Sequence, residues 1–142
     1  MVSQNIKNYL GISHRYSGMN CITLIASFYK NELKSNIFEK LFKLIKTDSK
    51  NISTRRWMKE ISLKNIDDWA TTYATKVSLT DLQIYDVIVF RALKSENPIH
   101  FGMLIDNNMR MLHLEEGAHS MITTIDRYWS EKIYAVYRQV VQ

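Results

Sequence analysis

Two textures meet in this chain, and their order restricts the fold more than any single motif. Up to about Leu79 the apolar residues recur at helical spacing, as in Phe38, Leu41, Phe42 and Ile45. From Asp86 onward they come in short runs rich in β-branched and aromatic residues, the first being Asp86-Val87-Ile88-Val89-Phe90-Arg91. Helices followed by strands, rather than alternating with them, predict an α+β domain with an antiparallel sheet. A length of 142 residues is about one domain and enough for a core without staples, so residues 1–142 are read as a single domain.

In the first half, Ser3 to Leu10 reads as a short helix ended by Gly11, and a loop from Ile12 to Met19 leads into a helix from Cys21 to about Leu33. Ser35 can cap a helix from Asn36 to about Lys46. Thr47 to Asn51 reads as a turn, with further helices over Ser53 to Leu63 and Ile66 to Lys76. In the second half, Ile99 to Ile105 and Met109 to Leu114 read as a hairpin around Asp106-Asn107-Asn108, because Asn and Asp tolerate positive φ. Ser120 to Ile125 and Ile133 to Arg138 complete the strands, with a short turn or helix over Arg127 to Ser130 between them.

Composition removes several classes. A single cysteine cannot form an internal disulfide, so the fold does not depend on an oxidising compartment. The longest apolar runs, such as Val87 to Phe90, are too short to span a bilayer. Met1 to Tyr9 lack the basic patch and apolar run of a secretory signal, so synthesis in the cytoplasm without a signal peptide is expected. The formal charge of +5 is spread over scattered lysines and arginines, a pattern of solvated helix faces rather than of a phosphate track, and no nucleic-acid partner is expected.

The chemistry centres on Cys21. Asn20 is a good N-cap, and a thiol just inside the cap sees unpaired backbone donors and the positive end of the helix dipole, which favour thiolate. Free cysteine is more often a small buried hydrophobe, so a nucleophile also needs a base. His100 and His113 lie on the two strands of the hairpin. If Asn107-Asn108 is the turn, Gly102 lies opposite His113 with His100 two residues along; if Asp106-Asn107 is the turn, His100 itself lies opposite. Either register puts both imidazoles on one face at roughly 5 to 8 Å, whereas a three-residue turn separates them. A nucleophile, a base and a polar group orienting the base meet the needs of thiol catalysis, with Cys21, His100 and His113 in those roles. The Cys21 N–H can help stabilise an oxyanion, with Tyr16 or Asn20 as further donors, and Gly102 leaves room on the histidine face. Cys21, His100 and His113 match no familiar zinc spacing, so no metal and no cofactor are expected.

The residues resemble a family. Tyr16-Ser17-Gly18-Met19-Asn20-Cys21 before a helix resembles the nucleophile motif of the NlpC-type cysteine peptidases. Tyr85-Asp86-Val87-Ile88-Val89-Phe90 resembles their Gly-Asp-led strand, and Pro98-Ile99-His100-Phe101-Gly102-Met103-Leu104-Ile105 their His-Val-Gly-Ile-Tyr strand. Met111-Leu112-His113 with Glu116-Gly117 resembles the strand bearing the third catalytic residue. The resemblance implies a papain-like fold, with N-terminal helices packed on a C-terminal antiparallel sheet. It also implies hydrolysis of amide bonds in peptidoglycan stem peptides, with Cys21 as nucleophile, His100 as base and His113 as third member. Short members of this type occur in phage tails, so the resemblance further implies a virion location and contacts with other tail or baseplate proteins. A catalytically weak tail-tip or baseplate subunit that keeps the fold is the alternative. Three positions depart from the motifs: Asn20 stands for Asp, Ile22-Thr23 for Ser-Gly or Trp-Gly, and Tyr85 for Gly.

Overall fold

The structure, a computed structural model, describes residues 4–15, 19–43 and 61–140. Helices α1 (Gln4–Lys7), α2 (Cys21–Glu32), α3 (Ile37–Lys43) and α4 (Leu63–Tyr73) lead into strand β1 (Ala74–Val77). Then come β2 (Val87–Arg91), β3 (Pro98–Leu104), β4 (Arg110–His113), β5 (Met121–Thr124), a one-turn helix α5 (Arg127–Ser130) and β6 (Ile133–Gln139). The strands form one antiparallel sheet in the order β1-β6-β2-β3-β4-β5. The expected α+β arrangement, helices first and packed on an antiparallel sheet, is the one that forms.

Strand β2 lies in the middle of the sheet, and its alternation divides the interior into two layers. Val87 and Val89 join Phe101, Met103, Leu112 and Tyr137 against the helices, whereas Ile88 and Phe90 join Leu104, Met111 and Val136 on the far face, under Trp129 of α5. Helix α2 lies on β3, burying Leu24, Ile25, Phe28 and Tyr29. The helical layer is extended by a chain of rings. Tyr29 meets Phe38 at 5.0 Å, Phe38 meets Trp69 at 5.4 Å, and Trp69 meets Tyr137 at 6.2 Å. The Trp69 indole N–H donates to the Ile37 carbonyl at 2.8 Å, which ties α4 to the start of α3.

The helix expected over Ile66 to Lys76 is corrected at both ends. It starts at Leu63 because Ser62 and Asn65 form a reciprocal cap, each side chain accepting from the other's backbone N–H. It ends at Tyr73, where Ala74 turns extended and the next residues pair with β6, from Ala74 opposite Gln139 to Val77 opposite Val136. Residues 53–60 of the preceding expected helix, and the expected turn Thr47 to Asn51, lie outside the described residues. Ile61 and Ser62 are not helical.

The hairpin decides where the histidines fall. Met103 pairs with Leu112 and Leu104 with Met111, the register that carries on to Gly102 opposite His113 and belongs to the Asn107-Asn108 alternative. The positive φ falls elsewhere than expected, on Met109 at 57° and on neither asparagine. Asp106 explains this: its carboxylate accepts from the backbone N–H of Asn108 at 2.8 Å and of Arg110 at 3.4 Å, winding the turn around itself and leaving Met109 to reverse the chain.

Candidate active site

The site is built at the start of α2. The Asn20 side-chain oxygen accepts from the N–H groups of Ile22 and Thr23, both at 3.1 Å, while the Thr23 hydroxyl accepts from the Asn20 N–H at 2.7 Å. This is a full capping box, and it fixes the first turn on which Cys21 sits. The Asn20 oxygen is thereby committed to capping, and the residue is fully buried.

Cys21 is 2% exposed, and the N–H groups of Phe101, Ile22 and Cys21 itself act on its sulfur. These donors and the helix terminus favour thiolate, as expected, but burial is the larger effect and pushes the thiol up to about 12. The helix start thus favours thiolate, but burial outweighs it and keeps the thiol protonated at neutral pH. The Phe101 N–H that acts on the sulfur belongs to the residue after His100 on β3.

His100 Nε2 and His113 Nδ1 are 2.8 Å apart, and His113 Nε2 is 2.7 Å from the Thr123 hydroxyl on β5. Trp129 covers the pair, stacked on His100 at 5.0 Å between ring centres and edge-on to His113 at 5.4 Å. Phe90 packs on the same side, 5.9 Å from His100 and 5.1 Å from Trp129. So packed, the rings are neutral at pH 7. Burial, with a further push from His113, holds His100 down at about 3, and burial holds His113 at about 4. At 2.8 Å the facing nitrogens share one proton, leaving no room for a metal ion between them.

The imidazoles pack against Phe90 and Trp129 on the far face of the sheet, while Cys21 belongs to the helical layer. The cysteine and the two imidazoles thus lie toward opposite faces of β3, and among the described residues no hydrogen bond joins the Cys21 sulfur to either ring. Gly102 was expected to leave room beside His113. That room is filled, since a Cβ there would stand 2.5 Å from the Met111 sulfur. Tyr16 lies outside the described residues. Thr123 and Trp129 were missed. Thr123 was within reach of sequence reasoning, because period-two alternation carried one strand further puts it on the histidine face; nothing in the sequence points to Trp129.

A cysteine opening a helix that lies on an antiparallel sheet, with histidines on two neighbouring strands, makes an α+β fold like that of a known structure. The chain is similar in structure to a protein described as similar to lipoprotein, NLP/P60 family, from Staphylococcus aureus subsp. aureus Mu50, with 16% sequence identity and a TM-score of 0.59. The match covers 97% of this chain and 40% of that one, so the chain spans less than half of its structural neighbour. No family model and no curated protein matches the sequence.

Proposed function

We propose that this domain is a thiol hydrolase that cuts amide bonds in peptidoglycan stem peptides, with Cys21 as nucleophile, His100 as base and His113 orienting the base. The observation that carries the reading is the ordered run from His100 through His113 to Thr123, whose first member precedes in the chain the Phe101 whose N–H acts on the cysteine sulfur. In the proposed reaction substrate first opens the site and brings the His100 ring to the sulfur; His100 Nδ1 then takes the thiol proton as sulfur attacks the carbonyl carbon. The Cys21 N–H stabilises the oxyanion, and His100 returns the proton to the leaving amine. Water then hydrolyses the thioester by the same route. The NLP/P60 fold supports a peptidase-like class, and the stem-peptide substrate comes from the sequence resemblance. A place in a phage tail is an expectation of that resemblance and adds nothing to the chemistry.

Cys21 and His100 are both buried, so substrate must open the site. Burial is the leading cause of both the high thiol pKa and the low imidazole pKa. Admitting polar substrate therefore moves the two toward each other and eases proton transfer. Cys21→Ala and His100→Ala are each expected to abolish release of stem-peptide fragments from purified cell walls; release that survives Cys21→Ala eliminates the mechanism.

The buried, protonated thiol also favours a second reading, a subunit that keeps the peptidase fold without turnover. The two readings separate on alkylation of Cys21 with and without cell-wall fragments. Acceleration by fragments supports the hydrolase; a slow rate that follows pH as for an ordinary or raised thiol under both conditions supports the scaffold.

A further inference from the structure

The run of ring nitrogens has two ways to distribute its protons, and only one leaves His100 Nδ1 unprotonated. If the Thr123 hydroxyl donates to His113 Nε2, His113 Nδ1–H donates to His100 Nε2, and the His100 proton must sit on Nδ1. If instead His113 Nε2–H donates to the Thr123 oxygen, His100 Nε2–H donates to His113 Nδ1, and His100 Nδ1 carries a lone pair. The distances of 2.8 and 2.7 Å suit both arrangements.

Two observations favour the second. His100 Nδ1 has no hydrogen-bond partner among the described residues, so a proton there would have no acceptor. Thr123 is half-buried on the edge strand, so its own hydroxyl hydrogen can turn to water while its oxygen accepts. Both rings then carry their proton on Nε2, the commoner tautomer of free histidine.

We propose that Thr123 is a positioning residue: by accepting the His113 Nε2–H, it holds the two-imidazole run in the tautomer that leaves His100 Nδ1 as the free base. Its catalytic meaning rests on the hydrolase reading, but the tautomer itself does not. No net proton is gained or lost between the two arrangements; each of the two rings carries one hydrogen in both.

The test is a two-bond proton–nitrogen NMR spectrum of the imidazoles in the ¹⁵N-labelled full chain at pH 7, assigned with His14→Gln and His119→Gln variants. Protonated and unprotonated ring nitrogens differ widely in shift. The wild-type chain is expected to show Nε2 protonated and Nδ1 unprotonated in both His100 and His113. Thr123→Val, which keeps the shape and removes the oxygen, is expected to shift the pair toward the other tautomer, and Thr123→Ser to restore the wild-type pattern. A protonated His100 Nδ1 in the wild-type chain overturns the inference even if Thr123→Val fails to fold, as does an unchanged pattern in a folded Thr123→Val chain. If cell-wall hydrolysis is present, Thr123→Val lowers kcat by about tenfold or more with KM unchanged, and Thr123→Ser recovers most of it. Loss of hydrolysis in every chain, with the expected tautomers intact, removes the hydrolase reading and leaves this inference standing.

Discussion

Asn20 and Thr23 exchange a hydrogen bond in each direction at the start of α2, and that exchange accounts for two departures from the motif the chain resembles. With Asn in place of Asp the cap carries no charge, and the N3 hydroxyl returns a bond to the Asn20 N–H that a glycine cannot make. Thr23 is 7% exposed and also donates to the Asn20 carbonyl at 3.4 Å, so its bulk lies within the turn rather than over the sulfur. Thr23→Gly is therefore expected to lower stability by about 1 to 2 kcal/mol, adding lost capping to the low helix propensity of glycine. Thr23→Ser should cost much less; urea unfolding of both variants checks it, and equal losses would mean that the hydroxyl is not what holds the turn. The Asn20 cap was legible from residue type and position alone. The raised thiol pKa was not, because it depends on layers of core that close over Cys21 from β3, some eighty positions away in the chain.

Among the elements, the β3–β4 hairpin shows what alternation can and cannot specify. Period two put His100 and His113 on one face once the register was given, and the register was one of two weighed from the turn residues. What the turn residues did not convey was which position reverses the chain, since Asp106 draws the N–H groups of Asn108 and Arg110 into its own hydrogen bonds and moves the left-handed residue on to Met109. An unbranched side chain there carries a conformational cost that glycine avoids, and Met109 is 36% exposed, so little packing is lost on its removal. Met109→Gly is expected to raise stability by about 0.5 to 1 kcal/mol, read as a shift of the urea midpoint. A destabilised variant would mean that the Met109 side chain contributes more by contact than it costs by φ. Tyr85 has the same conformation, φ 77°, at the position where the resemblance has glycine, but its ring packs on Phe28 at 5.2 Å and its carbonyl accepts from the Tyr29 hydroxyl. The ring thus offsets the backbone cost there. Strand β1 escaped sequence reasoning because Ala74 to Lys76 are as compatible with a last helical turn as with an edge strand; the unpaired edge of β6, distant in sequence, decides between them.

For the molecule as a whole, the two neutral histidines and the paired carboxylates set how stability depends on pH, and their windows overlap only below about pH 4. His100 and His113 titrate at about 3 and about 4 in the folded chain, both held below the ordinary value of 6.5 first by burial. Below that ordinary value the unfolded chain takes up protons that the folded chain refuses. The stability these rings contribute is therefore complete above about pH 6.5 and is lost as pH falls from there toward their folded values. Asp67, bonded by the Tyr134 and Tyr137 hydroxyls and by Lys76, and Asp106, bonded within its own turn and by Arg110, are both held below the ordinary 3.8. Their contribution fades only in more acid solution than that. Between pH 6.5 and 5 the buried imidazoles act alone among these groups, and each costs at most about 1.4 kcal/mol per pH unit. The unfolding free energy is expected to drop by up to about 4 kcal/mol between pH 7 and 5, a large share of the roughly 5 to 15 kcal/mol of a typical domain. Urea midpoints at the two pH values measure the drop, and a His100→Asn, His113→Asn double variant should flatten it. A wild-type midpoint that does not move would show that the rings take up charge in place without resistance, and the ring pair under Trp129 would then be open to water in solution.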